Sequence, residues 1–333
     1  VRKLLSVIAV FVLVLTAAAV FCAAPAEAAK KQYAFVMPNA THGFMAAAIQ
    51  SARDSLERIG PNYPDIDHRL LTSADPSEQS NQLATLINEK VDTIVLWPHN
   101  GDDLRSAAQD VIDAGIKLVV FDRLIPDIAP ISEVDMDNFA YGAFLAKALN
   151  EHFKDRLDAG EKIQILEIRG DNSTASTHRV DGVMATKHPN ISVVQSVITD
   201  WQRAKGLEFM ESFLTNNSVA DIEAIDAIIS FDGEPAAGAY DAILNYNGPA
   251  SLKNLKVFPS LCSFAEQVSL IGEMYEKSGI LHPLGFVNPG CTVYGVQVGF
   301  DVADGKEVPK VVKIGYIEVN NSNYLDFLAI LGN

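Results

Sequence analysis

The chain has 333 residues, 48% of them hydrophobic and 20% charged, with a net charge of −16. That length exceeds one ordinary hydrophobic core and suits two lobes, and the composition excludes a disordered chain. The acidic balance, with no basic patch, excludes nucleic acid as an expected partner.

In chain order, Arg2 and Lys3 precede an apolar run from Leu4 to Phe21, and CAAPAEAAKK follows with small residues at Ala26 and Ala28. A basic start, an apolar stretch and an A-x-A exit read as a secretory signal over residues 1–28. A lipid anchor would need a small residue before its cysteine, and Phe21 precedes Cys22. Two cysteines then remain, Cys262 and Cys291, and an exported, oxidising setting permits a disulfide between them.

Strands and helices alternate from Tyr33 onward. YAFVMP (33–38) reads as a strand and Phe44 to Ile59 as a helix stopped at Gly60. HRLLTSA is a strand, and DPSEQSNQLATLINEK a helix with Asp75 as N-cap and Pro76 at its first position. VDTIVLWP, DDLRSAAQDVIDAG and IKLVVFD follow as strand, helix and strand. Strands joined by single helices pair in parallel through right-handed crossovers. Short, wholly apolar strands fit a sheet covered on both faces. The rhythm restarts at IQILEIRG (163–170) and continues through ISVVQSVIT, RAKGLEFMESFLTNN and IDAIISFDG. VDTIVLWP at 91 and IDAIISFD at 225 share an apolar residue, Asp, a small residue and β-branched aliphatics, and a helix precedes each. The pattern predicts an α/β protein of two similar doubly wound parallel-sheet lobes. No Pro- or Gly-rich linker divides them, so the chain is expected to cross between lobes more than once.

Open parallel sheets bind ligands beyond the carboxyl ends of their strands. The residues there are Asn39 to Met45, Trp97 to Asn100, Asp122 and Arg123, Arg169 to Arg179, Asp200 and Trp201, Asp232 to Glu234, and Cys262 and Ser263. They are rich in charge, amide and aromatic groups and poor in nucleophile–base pairs. No G-x-S-x-G, P-loop, G-x-G-x-x-G or H-E-x-x-H motif occurs. The seven His show no helical i, i+4 pair, so neither a metal nor another cofactor is expected. Asp122 and Asp232 could form a carboxylate pair for glycoside hydrolysis, but their hydrogen-bonding neighbours are expected to keep both ionised, and no enzyme is predicted. Binding accounts for the residue types better. A sugar presents hydroxyls that both donate and accept, and an apolar ring face. Carboxylates, guanidinium forks and amides match the former; flat aromatics match the latter.

Seven segments, THGFM (41–45), DPSEQSNQLATLINEKVDTIVLWP, AGIKLVVFDR, DMDNFAYGAFLAKAL, STASTHRVDG, TDWQRAKGLEFMESFL and FDGEPAAGAYDAI, carry a family resemblance. In order and spacing the chain resembles the ribose-binding-protein-like periplasmic sugar-binding proteins of ABC transporters, from about Tyr33 to Tyr324. The resemblance implies type I periplasmic binding architecture: a first lobe of residues 30–136 plus 289–314, a second of 137–288 plus 315–333, a hinge of three crossovers, and a ligand cleft between. Carried over position by position, it implies ligand contacts from His42, Phe44, Met45, Asp122, Arg123, Arg179, Trp201, Asp232 and, at the hinge, Asn288. Where the family has an acid at a G-F-D strand end, this chain reads VFPSLCS, with Cys262 or Ser263 near that place, so the ligand is not expected to be held as ribose is. The implied role is capture of a sugar or polyol by a periplasmic monomer that delivers it to a membrane permease. The alternative is presentation of the ligand to a chemoreceptor or sensor kinase.

Overall fold

A computed structural model describes residues 29–332. The expected signal segment, residues 1–28, lies outside the described residues. The elements run β1 (Lys31–Pro38), α1 (Gly43–Ile59), β2 (Ile66–Ser73), α2 (Pro76–Glu89), β3 (Thr93–Leu96), α3 (Gly101–Asp113), β4 (Lys117–Phe121) and β5 (Ser132–Asp135). The chain continues through α4 (Asn138–His152), α5 (Lys154–Asp158), β6 (Ile163–Arg169), α6 (Thr174–Thr186), β7 (Ile191–Ile198), α7 (Arg203–Asn216), α8 (Val219–Glu223), β8 (Ala227–Ser230) and α9 (Gly233–Asn245). Last come β9 (Ser260–Cys262), α10 (Ala265–Ser278), β10 (Leu284–Phe286), α11 (Thr292–Asp304), β11 (Val311–Lys313), β12 (Ile317–Val319) and α12 (Tyr324–Leu331).

These strands form two six-stranded sheets, ordered β2-β1-β3-β4-β5-β11 and β7-β6-β8-β9-β10-β12. Every pairing is parallel except β10 with β12. The first five places of the two orders correspond one to one. β3 and β8, which carry the similar segments VDTIVLWP and IDAIISFD, therefore hold the same place in their sheets. Both strands are wholly buried, as covered parallel sheets require.

The chain passes between the sheets three times. It leaves β5 for α4, which packs on α6; it leaves β10 for α11, which packs on α1, β1, β3 and β4; and it leaves β11 for β12. The start of α2 follows the side chains anticipated from sequence. The Asp75 carboxylate accepts from Glu78 N at 2.8 Å, with Pro76 behind it at the first helical position.

The expected disulfide does not form, and Cys262 and Cys291 are both free and buried. The two thiols face different cores. Cys262 on β9 packs with Val268, Ile271, Leu284, Phe286 and Val319. Cys291, in the turn before α11, sits in the core that contains Met136, its Sγ 3.9 Å from the Met136 sulfur.

Candidate ligand-binding site

The segments after β1 and after β3 to β10 converge on one partly open cleft between the sheets, with about 480 Å3 of empty space. His42, Phe44, Met45, Asp122, Arg123, Arg179, Trp201 and Asp232 line it, eight of the nine side chains anticipated. Asn288 does not. It is exposed, and its side chain accepts from Gly290 N at 2.8 Å, capping the turn Pro289–Cys291. Val287 lines the cavity instead, its N–H continuing the ladder to Cys262 O at 2.8 Å. Pro289 ends that extended run, so the hinge contact falls one residue earlier than expected.

The Asp122–Arg123 pair follows from how β4 ends. Asp122 has φ +58°, and its N–H bonds Val134 O at 2.9 Å, so the chain turns sharply while remaining tied to β5. Asp is among the few L-residues that enter this region at modest cost. The turn leaves Asp122 7% and Arg123 8% exposed. Asn138 Nδ2 donates to Asp122 Oδ1 at 3.2 Å. Burial raises the Asp122 carboxyl above the usual range, against the opposing pull of Arg123, Arg179 and that amide. Arg123 Nη1 donates to His99 O at 2.5 Å, and Nη2 pairs with Asp171 Oδ2 in the second lobe at 3.1 Å. Burial alone would raise Asp171; Arg123, the Ser173 hydroxyl, Trp201 and the Ser173 N–H together bring it below the ordinary carboxylate range.

In the second lobe, Arg179 stands on α6, which lies close against α4. A Cβ at Gly142 on α4 would come within 1.9 Å of Arg179 O, so glycine is what allows this approach. Arg179 Nε donates to Asn138 Oδ1 at 2.8 Å and Nη1 to Phe231 O at 2.5 Å. Its guanidinium lies 5.0 Å over the Trp201 ring and 5.4 Å over that of Tyr141. Asp200 (φ +48°) and Trp201 (φ +64°) form a left-handed turn that aims the indole inward. Asp232 caps α9, accepting from Glu234 N at 2.9 Å. Burial pushes its pKa up to about 6, although the Glu234 N–H and Arg179 oppose the rise. Burial thus outweighs the neighbours expected to hold these carboxyls and raises both, yet at a pKa of about 6 Asp232 is still mostly ionised at pH 7.

His42 precedes α1 and faces Trp201 across the cleft, ring centroids 6.5 Å apart. Burial and Arg123 lower its pKa to about 4, so it is neutral at pH 7. At the departure from the family's acidic strand end, Leu261 and Ser263 line the cavity while Cys262 points into the core behind them. Strand alternation accounts for this split. Trp97, Met136 and Ala175 complete the wall. Sequence reasoning passed over Asn138, Asp171 and Trp97 as site residues; only the last two stood at strand ends. Among the described residues, no group of three or more His, Cys, Asp or Glu is placed to hold a metal ion.

A periplasmic binding protein domain model matches residues 33–257. The chain belongs to the periplasmic binding protein family. It is 28% identical over 183 residues to the D-xylose-binding periplasmic protein of Haemophilus influenzae, covering 51% of this chain and 50% of that one. It is 26% identical over 224 residues to the ribose import binding protein RbsB of Bacillus subtilis, covering 62% and 69%. The match thus spans about half the length of the D-xylose-binding relative. Among solved structures, the fold is similar to the periplasmic component of the arabinose ABC transporter from Shewanella sp. ANA-3, bound to L-arabinofuranose (TM-score 0.75, 18% identity, 90% of this chain and 95% of that one). It is also similar to the Caulobacter myo-inositol binding protein (TM-score 0.73, 17% identity, 89% and 95%). Within this family architecture, both sheets are doubly wound as expected.

Proposed function

We propose that this family member captures one small polyhydroxy compound, a sugar or polyol, in the periplasm and delivers it to the permease of an ABC transporter. The supporting observation is the convergence of acceptor and donor groups from both lobes, Asp122 and Arg123 from one and Arg179 and Asp232 from the other, beside the Trp201 ring in one cleft. Vicinal hydroxyls satisfy such groups together, and an analogue lacking one hydroxyl strands a buried partner. Residues 30–136 plus 289–314 and 137–288 plus 315–333 would move as units about the three crossovers, closing when ligand bridges both. The relatives named for D-xylose and ribose favour the same ligand class. The chemistry is binding, so the monomer returns its ligand unchanged.

A thermal-shift screen over sugars, polyols, amino acids and nucleosides tests this. Ligand in excess stabilises by mass action. A melting shift with a sugar or polyol, abolished in a folded Asp122→Ala variant, is expected. Shifts with amino acids or nucleosides alone would refute it.

A further inference from the structure

Trp97 follows β3 and lines the cavity, yet its polar atom is unused. The residue is 1% exposed. Its ring packs on Phe121 (centroids 4.8 Å) and stands edge-on to Phe44 (6.4 Å, 73°). The indole N–H can donate but not accept, and it has no hydrogen-bond partner among the described residues. A core tryptophan ordinarily places this group on an acceptor, because a buried unpaired donor is costly. Arg123 Nε, also facing no acceptor, is in the same condition.

The backbone of Trp97 is pinned. Gln79, wholly buried on α2, donates Nε2 to Trp97 O at 2.9 Å and accepts from His99 N at 2.8 Å. Arg123 Nη1 then donates to His99 O. One hydrogen-bonded chain thus ties Trp97 to Arg123, and two donor-only groups are set in place before any ligand arrives.

We propose that Trp97 is a specificity-determining residue whose indole N–H donates to one oxygen of the bound polyhydroxy ligand. The proposal rests on the binding reading above and sharpens it. The first lobe selects compounds carrying an oxygen at that one position. An analogue lacking the oxygen leaves the N–H buried and unpaired.

The test uses D-xylose, D-ribose, D-allose and myo-inositol, and monodeoxy analogues of whichever binds best. Calorimetric titration compares wild type with Trp97→Phe, which keeps a ring against Phe121 and removes the donor. Trp97→Phe should weaken the parent compound about tenfold. One deoxy analogue should bind wild type about tenfold more weakly than the parent, yet bind both proteins alike. Equal losses for every analogue, or none, would overturn the proposal while leaving the binding reading intact. If none of these four binds, the parent is the sugar or polyol hit of the thermal-shift screen, and a screen with no such hit ends the binding reading and the proposal with it. Should the variant not fold, the wild type still decides. The chain has two tryptophans, so the Trp97 indole proton can be assigned by NMR. It should move downfield with the parent and not with that analogue; identical responses would refute the assignment.

Discussion

Asp122 and Arg179, from opposite lobes, share one side-chain amide. Asn138 donates Nδ2 to Asp122 at 3.2 Å and accepts from Arg179 Nε at 2.8 Å. It is 1% exposed and opens α4 immediately after the first crossover. The amide is suited to this place because it is donor and acceptor at once; a carboxylate could serve only the arginine, and an alkyl group neither.

Asn138→Ala should therefore strand two buried charged groups. Each lost bond to a charged partner costs about 1.5–3 kcal/mol, so ligand affinity should fall at least tenfold and the melting temperature by several degrees. Calorimetric titration and thermal melts measure both. An unchanged melting temperature would contradict the buried bridge.

The Arg123–Asp171 pair crosses the cleft with side chains only 10% and 21% exposed, whereas Lys154–Asp158 on α5 shows 69% and 63%. Partly buried pairs matter where exposed ones contribute little. Asp171→Asn should weaken ligand binding several-fold and expand the molecule in small-angle scattering. Asp158→Asn should change neither.

Two histidines and one carboxylate are among the buried groups whose titration should shape acid stability. His282 is 1% exposed, and burial lowers its pKa to about 4, as it does for His42. The unfolded chain takes up these protons from about pH 6.5, so the stabilising effect of the neutral rings is present above 6.5 and lost as pH falls to 4. For His282 this is on the order of 3 kcal/mol at full effect. Asp232, with its pKa raised to about 6, acts oppositely: the native state binds its proton first, and its contribution rises as pH falls from 6 toward 4. Melts from pH 7 to 4 should show falling stability, flattened in His282→Gln and steepened in Asp232→Asn.

Gly170 lies under the Trp201 indole, and a Cβ there would meet ring carbons at 2.1 Å. Gly170→Ala should push the indole out of place, alter tryptophan fluorescence and reduce affinity tenfold or more. Binding equal to wild type would show that the ring position does not matter.

Free cysteines predict indifference to reductant. The chain from residue 29 onward should titrate two thiols in denaturant, should react slowly when native, and should melt at the same temperature with or without dithiothreitol.

β3 and β8 were legible because they are short apolar runs between helices, whereas β5 and β9 to β12, only three or four residues long, left no periodic signal. Asp122 and Arg123 were legible because full charges directly follow such a run. Asn138 was not, since nothing local distinguishes a bridging amide from an ordinary residue in a helix's first turn. Asn288 failed by one residue: whether Val287 or its neighbour faces the cavity depends on where the ladder from β10 stops, and the sequence does not mark that point. Cys262 and Cys291 looked pairable because spacing says nothing about which core each side chain enters. Trp97 stood among the strand-end residues but carried no mark of a ligand contact, its unpaired N–H visible only in three dimensions.

Asp122 and Trp201 occupy left-handed backbone that most side chains adopt only at a cost of roughly 1–3 kcal/mol. Leu261, Ser263 and Val287 stand on or beside β9 and β10, outside that region. The wall is thus divided between positions whose backbone resists exchange and positions that accept almost any residue of suitable size. Redesign of this protein for a new compound, whether as a biosensor or by natural drift, has its room at 261, 263 and 287, while 122 and 201 would hold their shape throughout.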